Sequence, residues 1–211
     1  MIFLGLLRHG EVEGGPCFRG HTNDPLSKAG NLQMHSATQG ECHWDQIISS
    51  PLKRCASFAR EYALAHRLPL EFEEDMRELD FGDWEGLTAE QIMQDSPQAL
   101  GDFWRDPMNH PPPGGETLNA FKQRVVTTWQ RLHSRHVGKR VLLVTHGGVI
   151  RLLLCHLQQR PMDKIAEIEV APAALFGLLL IHGRIEKLFT SGIHIQRWLG
   201  EQTHDNLFPA Y

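Results

Sequence analysis

The chain has 211 residues, 41% of them hydrophobic, with 21 Lys and Arg against 25 Asp and Glu and a formal net charge of −4. That length can bury a sizeable core as one domain over residues 1–211, carrying at most an inserted cap. The slightly acidic balance and scattered basic residues argue against a nucleic-acid partner or an anionic membrane surface, which leaves small-molecule chemistry.

Residues 2–7 are six apolar or small residues, and the run stops at Arg8, His9 and Gly10. An apolar run of that size bounded by charge predicts a buried strand, and ligands of open α/β sheets gather just beyond the carboxyl ends of such strands. The run is too short for a signal-peptide core and no basic segment precedes it, so a cytoplasmic location is expected. After a Gly-rich loop over 11–24, Ser27 predicts the N-cap of a helix reaching Gln39, with Gly40 as its stop. Ile47 and Ile48 predict a second strand ending at Ser49-Ser50-Pro51, and the next helix turns Leu52, Cys55, Ala59, Tyr62, Ala63 and His66 to one face. Its first turn holds Arg54. A cation there opposes the helix dipole, which makes sense where an anion binds, although a solvated surface arginine fits the sequence equally well. Leu70 and Phe72 alternate with acidic residues as an edge-like third strand.

Over 75–115 this rhythm breaks. Two short helical pieces, capped by Thr88 with Gln91 and by Ser96 with Pro97, lead to Pro111-Pro112-Pro113-Gly114-Gly115, and the segment reads as a cap over the site with Phe103 and Trp104 as its packing. Leu118, Phe121, Val125, Trp129, Leu132 and His136 then lie at helical spacing in a long helix that stops at Gly138. A β-branched apolar strand over 141–144 delivers Thr145-His146-Gly147-Gly148; a helix over 148–158 follows, and 174–181 with 184–190 flank His182-Gly183 as a hairpin. The longest apolar stretch, 171–181, falls short of the ~20 residues that span a bilayer. Strands alternating with helices predict an α/β fold: a three-layer α/β/α sandwich around a mainly parallel mixed sheet.

Cys17, Cys42, Cys55 and Cys155 contain no C-x-x-C pair and read as reduced structural thiols. The 13 histidines contain no H-E-x-x-H, and the pair His133 and His136 has no carboxylate at ligand spacing, so no metal is expected. His21, His35, His43, His66, His110 and His194 read as structural or surface residues.

Six segments in order carry a resemblance: L-L-R-H-G-E at 6–11, G-H-T-N-D-P-L-S at 20–27, I-S-S-P-L-K-R at 48–54, R-E-L-D-F-G-D-W-E-G at 77–86, G-G-E-T at 114–117 and V-T-H-G-G-V-I-R at 144–151. Together they resemble the histidine phosphatase superfamily, the group that includes the cofactor-dependent phosphoglycerate mutases. The resemblance implies that His9 is a nucleophile that becomes phosphorylated, and that Arg8, Arg54 and His146 hold the phosphoryl oxygens. Glu78 is then the proton donor to the leaving oxygen. Its other reading is a surface ion pair with Arg77 or a lysine, and its place in E-x-x-F-G favours the first; burial near Phe81 and Trp84 would fit it for acid–base work. The glycines after His146 let backbone N–H groups, that of Gly147 first, approach an anion closely. Two arginines and a protonated His146 would supply the positive charge a phosphoryl group needs without a metal or other cofactor.

Many members of the group carry T-x-x-N after R-H-G-E, the asparagine touching phosphate; here those positions are Val12 and Gly15. Arg19 is a candidate to replace that contact or is simply solvated, and Thr22 is a further candidate contact. The stretch E-V-E-G-G-P-C-F-R-G, with F-G-D-W-E and P-P-P-G-G-E, is similar to a narrower branch, the α-ribazole 5′-phosphate phosphatases of cobalamin synthesis. The expected function is therefore a metal-independent phosphomonoesterase acting on α-ribazole 5′-phosphate or cobalamin 5′-phosphate. The alternatives are a broad-specificity, sugar-phosphate or mutase-like enzyme, the long mutase insertion being absent, and a catalytically silent phospho-ligand binding module. The expected partner is a small phosphate monoester, and a homodimer is left open.

Overall fold

The computed structural model describes residues 1–39 and 43–190. Gly40, Cys42 and His194, singled out above, lie outside the described residues. Six strands form one sheet: β1 (Ile2–Arg8), β2 (Gln46–Ser49), β3 (Leu70–Phe72), β4 (Arg140–Thr145), β5 (Leu175–Ile181) and β6 (Arg184–Phe189), in the order β3-β2-β4-β1-β5-β6. The first four run parallel; β5 pairs antiparallel with β1, and β6 antiparallel with β5. No helix among the described residues is long and apolar enough to cross a membrane.

The two central strands read as continuous apolar runs because both faces of the sheet are covered. Alternation then sorts their side chains. Ile2, Leu4, Leu6, Val141 and Leu143 join the core beneath α5 (Leu118–Arg135) and α6 (Gly147–Leu157), where Phe121, Trp129 and Leu153 pack. Phe3, Leu7, Leu142 and Val144 face the opposite core with Met34 of α1 (Lys28–Ala37) and Phe58 and Tyr62 of α2 (Lys53–His66). The result is the expected three-layer sandwich around a mixed, mainly parallel sheet. Boundaries differ by a residue or two. Helix α1 ends at Ala37, before the expected Gln39, as the Thr38 hydroxyl donates back to the Met34 carbonyl at 3.0 Å. His66, expected on the apolar face of α2, is exposed and lies against the Tyr62 ring at 4.4 Å between centroids.

Between β3 and α5 the chain forms a turn of 3-10 helix over Gly82–Trp84, then α3 (Ala89–Asp95) and α4 (Pro97–Arg105). Thr88 and Gln91 make the reciprocal capping box read from the sequence, and Pro97 opens α4. Trp84, Ile92 and Leu100 are buried together with Phe18, Phe81 and Phe103 against them. This segment thus has its own small apolar centre, set beside the carboxyl end of the sheet.

The loop leaving β1 lies directly on α1. A Cβ on Gly10 would collide with the Gly30 carbonyl, and one on Gly30 with the Glu11 carbonyl, so two backbones touch where no side chain fits. Gly30→Ala should therefore push the residues that follow His9 away from α1 and cost about 1–3 kcal/mol, the usual penalty for overpacking. The check is the urea unfolding midpoint, which should fall; an unchanged midpoint contradicts the contact.

Candidate active site

The register of β1 on β4 ends with Arg8 opposite Thr145, so His9 and His146 leave the sheet side by side, their ring centroids 5.3 Å apart. The Nδ1 atom of His9 is 2.8 Å from the Gly10 carbonyl oxygen. A carbonyl only accepts, so Nδ1 carries the proton and Nε2 keeps its lone pair. Burial pushes the His9 pKa down to about 3; the charges of Arg54, Arg8 and Arg19 push the same way, against the Gly10 hydrogen bond. His9 is thus a neutral imidazole with a nucleophilic nitrogen opposite its anchored one.

His9 lies in the wall of a cleft of about 380 Å³ whose lining includes Arg8, Arg19, Glu78, Gly147 and Arg151. Arg8 donates from Nη1 to the Val170 carbonyl at 2.5 Å, while its Nε is buried without a hydrogen-bond partner. Such a donor can be satisfied by an anionic ligand in the cleft. Burial lowers the Arg8 pKa; Glu78 opposes this and the like charges of Arg151 and Arg54 add to it. Glu78, only 9% exposed, accepts from the Gly148 N–H at 2.9 Å and the Leu79 N–H at 3.0 Å, which seats its carboxyl on the N-terminus of α6. A Cβ on Gly148 would collide with that carboxyl, and one on Gly147 would stand 3.1 Å from Arg151 Nη1 and 3.3 Å from Arg8 Nε. The two glycines after His146 thus leave room for a carboxyl and two guanidiniums at the first turn of α6, where the Gly147 N–H belongs to the amides a helix leaves unpaired.

Arg54 and His146 are fully buried beside His9 and are not among the residues lining this cleft. Arg54 is 0% exposed. It donates from Nη1 to the Thr22 carbonyl at 2.6 Å, from Nη2 to the carbonyls of Gly20 at 2.6 Å and Arg19 at 3.3 Å, and from Nε to His146 Nδ1 at 3.2 Å. It is not the solvated surface arginine that the sequence also allowed. A guanidinium cannot accept, so His146 Nδ1 does, and its Nε2 donates to Ser50 Oγ at 2.7 Å. Burial first, and the Arg54 charge second, hold the His146 pKa well below the ordinary histidine value. This favours a neutral His146 over the imidazolium that the resemblance implies. Cys55 packs against the same ring, and burial pushes its thiol up to about 12, so it stays protonated.

Arg19 reaches the loop position where the resemblance expects an asparagine. Its Nε donates to Asp24 at 2.7 Å, and its terminal nitrogens donate to the Gly15 and Glu13 carbonyls at 3.1 Å. It brings a fixed cation to the cleft wall. The Thr22 hydroxyl and N–H donate to Glu85, and Thr22 is not among the residues lining this cleft. Glu85 also accepts from the N–H groups of Gly20, His21 and Phe81. Burial alone would raise its pKa, but these hydrogen bonds, that of the Thr22 hydroxyl foremost, hold it lowered. Sequence reasoning passed over Glu85, although it stands in F-G-D-W-E-G, because Gly20, His21 and Thr22, which it gathers, lie 63 to 65 residues upstream. Asn23 was also passed over; its Oδ1 accepts the Lys53 N–H at 2.7 Å and caps α2 from outside the helix.

Adjoining the cleft, and sharing Phe18, Glu78, Phe81 and Arg151 with it, is an apolar arm of about 280 Å³ lined also by Phe103, Trp104, Pro107, Leu118 and Phe121. Phe103 does pack with Phe18, Phe81 and Trp84, but Trp104 is 53% exposed, so the expectation of cap packing is corrected for Trp104. Among the described residues no group of three or more His, Cys, Asp or Glu is arranged to hold a metal ion.

The family model described as histidine phosphatase superfamily (branch 1) matches residues 4–189. The chain is 32% identical over 161 residues to phosphoserine phosphatase 1 of Hydrogenobacter thermophilus, covering 74% of this chain and 76% of that one. It is 30% identical over 172 residues to the adenosylcobalamin/alpha-ribazole phosphatase of Escherichia coli, covering 79% and 84%. The crystal structure of the alpha-ribazole phosphatase from Shigella flexneri superposes with a TM-score of 0.80 at 26% identity, covering 90% of this chain and 96% of that one.

The neutral state of His9 has a measurable sign. Its folded pKa lies below the unfolded value, so between 6.5 and about 3 the unfolded chain binds the proton that the folded one refuses, and this contribution to stability is lost as pH falls through that window. Nitrogen-edited NMR of the ring should show the Nδ1–H tautomer, neutral throughout mildly acidic pH, with the pKa rising when vanadate or phosphate offsets the arginine charges. A His9 that titrates at 6.5 in the free protein contradicts this.

Proposed function

The chain belongs to the histidine phosphatase superfamily, and on that basis we propose that it hydrolyses phosphate monoesters through a phosphohistidine at His9, with α-ribazole 5′-phosphate as substrate. The observation that carries the reading is the lone pair of a neutral His9 set among Arg8, Arg19 and Arg54, with the Glu78 carboxyl across the same cleft. A phosphate monoester is dianionic and repels a nucleophile, so fixed positive groups around its oxygens are the largest source of stabilisation. Arg8 and the Gly147 N–H hold the oxygens; Arg54 acts through its field from beside the nucleophile.

In the first half-reaction His9 Nε2 forms a bond to phosphorus, the ester P–O bond breaks, and the leaving oxygen takes a proton from Glu78. The Nδ1–H bond to Gly10 steadies the ring as it becomes positive. In the second, the Glu78 carboxylate takes a proton from water, the hydroxyl oxygen attacks phosphorus, the N–P bond breaks and inorganic phosphate leaves. Neither half-reaction calls on a metal or other cofactor. A silent binding module would have no use for a carboxyl seated on a helix N-terminus beside the nucleophile, which speaks for turnover.

The substrate is argued from the apolar arm. The dimethylbenzimidazole of α-ribazole is a flat aromatic leaving-group end that Phe18, Phe81 and Trp104 can cover, and the similarity to phosphatases named for that substrate supports it. Phosphoserine, named for another relative, has no apolar part to fill this space. Wild-type enzyme should therefore show the higher kcat/KM on α-ribazole 5′-phosphate; a preference for phosphoserine contradicts the substrate.

Glu78→Gln separates chemistry from binding. It should slow the alkyl ester by the roughly 10²–10⁴-fold of general acid catalysis, and an aryl phosphate, whose phenolate leaves unaided, much less. Rapid mixing with the aryl ester should show a burst of phenol, since the second step has lost its base. Equal loss on both esters with no burst would assign the proton to another carboxyl.

A further inference from the structure

Arg151 has no role in the mechanism above, yet it stands where the two parts of the cleft meet. It lies on α6 four residues beyond Gly147, on the same face of the helix. Its Nε donates to the Ile168 carbonyl at 2.8 Å, the one hydrogen bond it makes among the described residues, which fixes the plane of the guanidinium. Its Nη1 lies beside the Gly147 Cα near Arg8 Nε. Arg151 and Glu78 both line the phosphate-side cleft and the apolar arm.

Arg8, Arg19 and Arg54 already set positive charge around the phosphate, so a further half-buried guanidinium, whose terminal nitrogens make no hydrogen bond among the described residues, can meet an acceptor elsewhere on the substrate. We infer that Arg151 is a specificity residue that binds an oxygen of the alcohol portion, carried within a few bonds of the ester. This rests on the reading that Glu78 faces the ester oxygen. The leaving group then passes from Glu78 into the apolar arm, and its first atoms run past Arg151. The arrangement selects an alcohol that is oxygen-bearing next to the phosphate and apolar beyond it. The oxygen is either a hydroxyl, as on a ribosyl group, or a carboxylate, as on phosphoserine, and a planar fork with two free nitrogens can take either.

The test compares Arg151→Met and Arg151→Lys with wild type on three esters: α-ribazole 5′-phosphate, phosphoserine, and an aryl phosphate with no further oxygen. The Met variant should raise KM for the oxygen-bearing ester that wild type prefers by about 10–100-fold, the worth of hydrogen bonds to a charged group. Its kcat on the aryl phosphate and its inhibition by vanadate should stay within about 3-fold, well under one such bond, which also shows that the site is folded. The Lys variant should recover part of the loss. Whichever ester wild type prefers identifies the source of the oxygen. Equal losses on all three esters with weakened vanadate inhibition would place Arg151 among the phosphate ligands and overturn the inference, as would no change on any. Wild-type protein inert toward all three would instead overturn the phosphatase reading and the inference with it.

Discussion

A guanidinium removed from water, with no ion pair to a carboxylate among the described residues, is the constraint around which this site is arranged. Burying a charge is costly unless hydrogen bonds replace its hydration, and Arg54 meets the cost with the carbonyls of Arg19, Gly20 and Thr22 and with His146. Three carbonyls converge only if the loop over 19–22 is bent to present them. The Glu85 carboxylate bends it, gathering the N–H groups of Gly20, His21 and Thr22 on the opposite side of the same backbone. The order of dependence thus runs from a carboxylate beside the cap, through a loop, to a buried cation whose charge adds to burial in disfavouring protonation of two histidines.

Burial, with that cation beside it, explains why His9 is usable. A protonated imidazole cannot attack phosphorus, and an exposed one would be partly protonated near its ordinary pKa. Burial beside Arg54 and Arg8 keeps the ring neutral, while the Gly10 carbonyl selects the tautomer that leaves Nε2 free. The same positive field that would hold a dianionic ester suppresses protonation of the group that attacks it.

The fold was legible because apolar runs of six residues ending in charge, and apolar residues at helical spacing, report burial on two faces or on one. His9, Arg8 and Gly147 were legible because each ends or follows a strand or opens a helix, and Glu78 because of its place in E-x-x-F-G. What the sequence did not show was the state of those groups. Nothing local to Arg54 says that it is fully buried, since its partners are backbone atoms more than thirty residues away. His146 was expected to be charged on the strength of the resemblance, whereas burial first and the Arg54 charge second push it toward the neutral form. Trp104 failed for the opposite reason: an aromatic on a short amphipathic helix reads as packing, and only the position of α4 beside the cleft leaves it half exposed.

The central claim is that the Nε2 lone pair of a neutral His9 receives the phosphoryl group. The most direct measurement is rapid quenching of the turning-over enzyme into alkali, followed by mapping of the phosphorylated residue and of the ring nitrogen by mass spectrometry and 31P NMR. The account predicts one acid-labile, alkali-stable phosphate on His9, bonded to Nε2. Phosphate on Nδ1, on Ser50 or on any other side chain would contradict it.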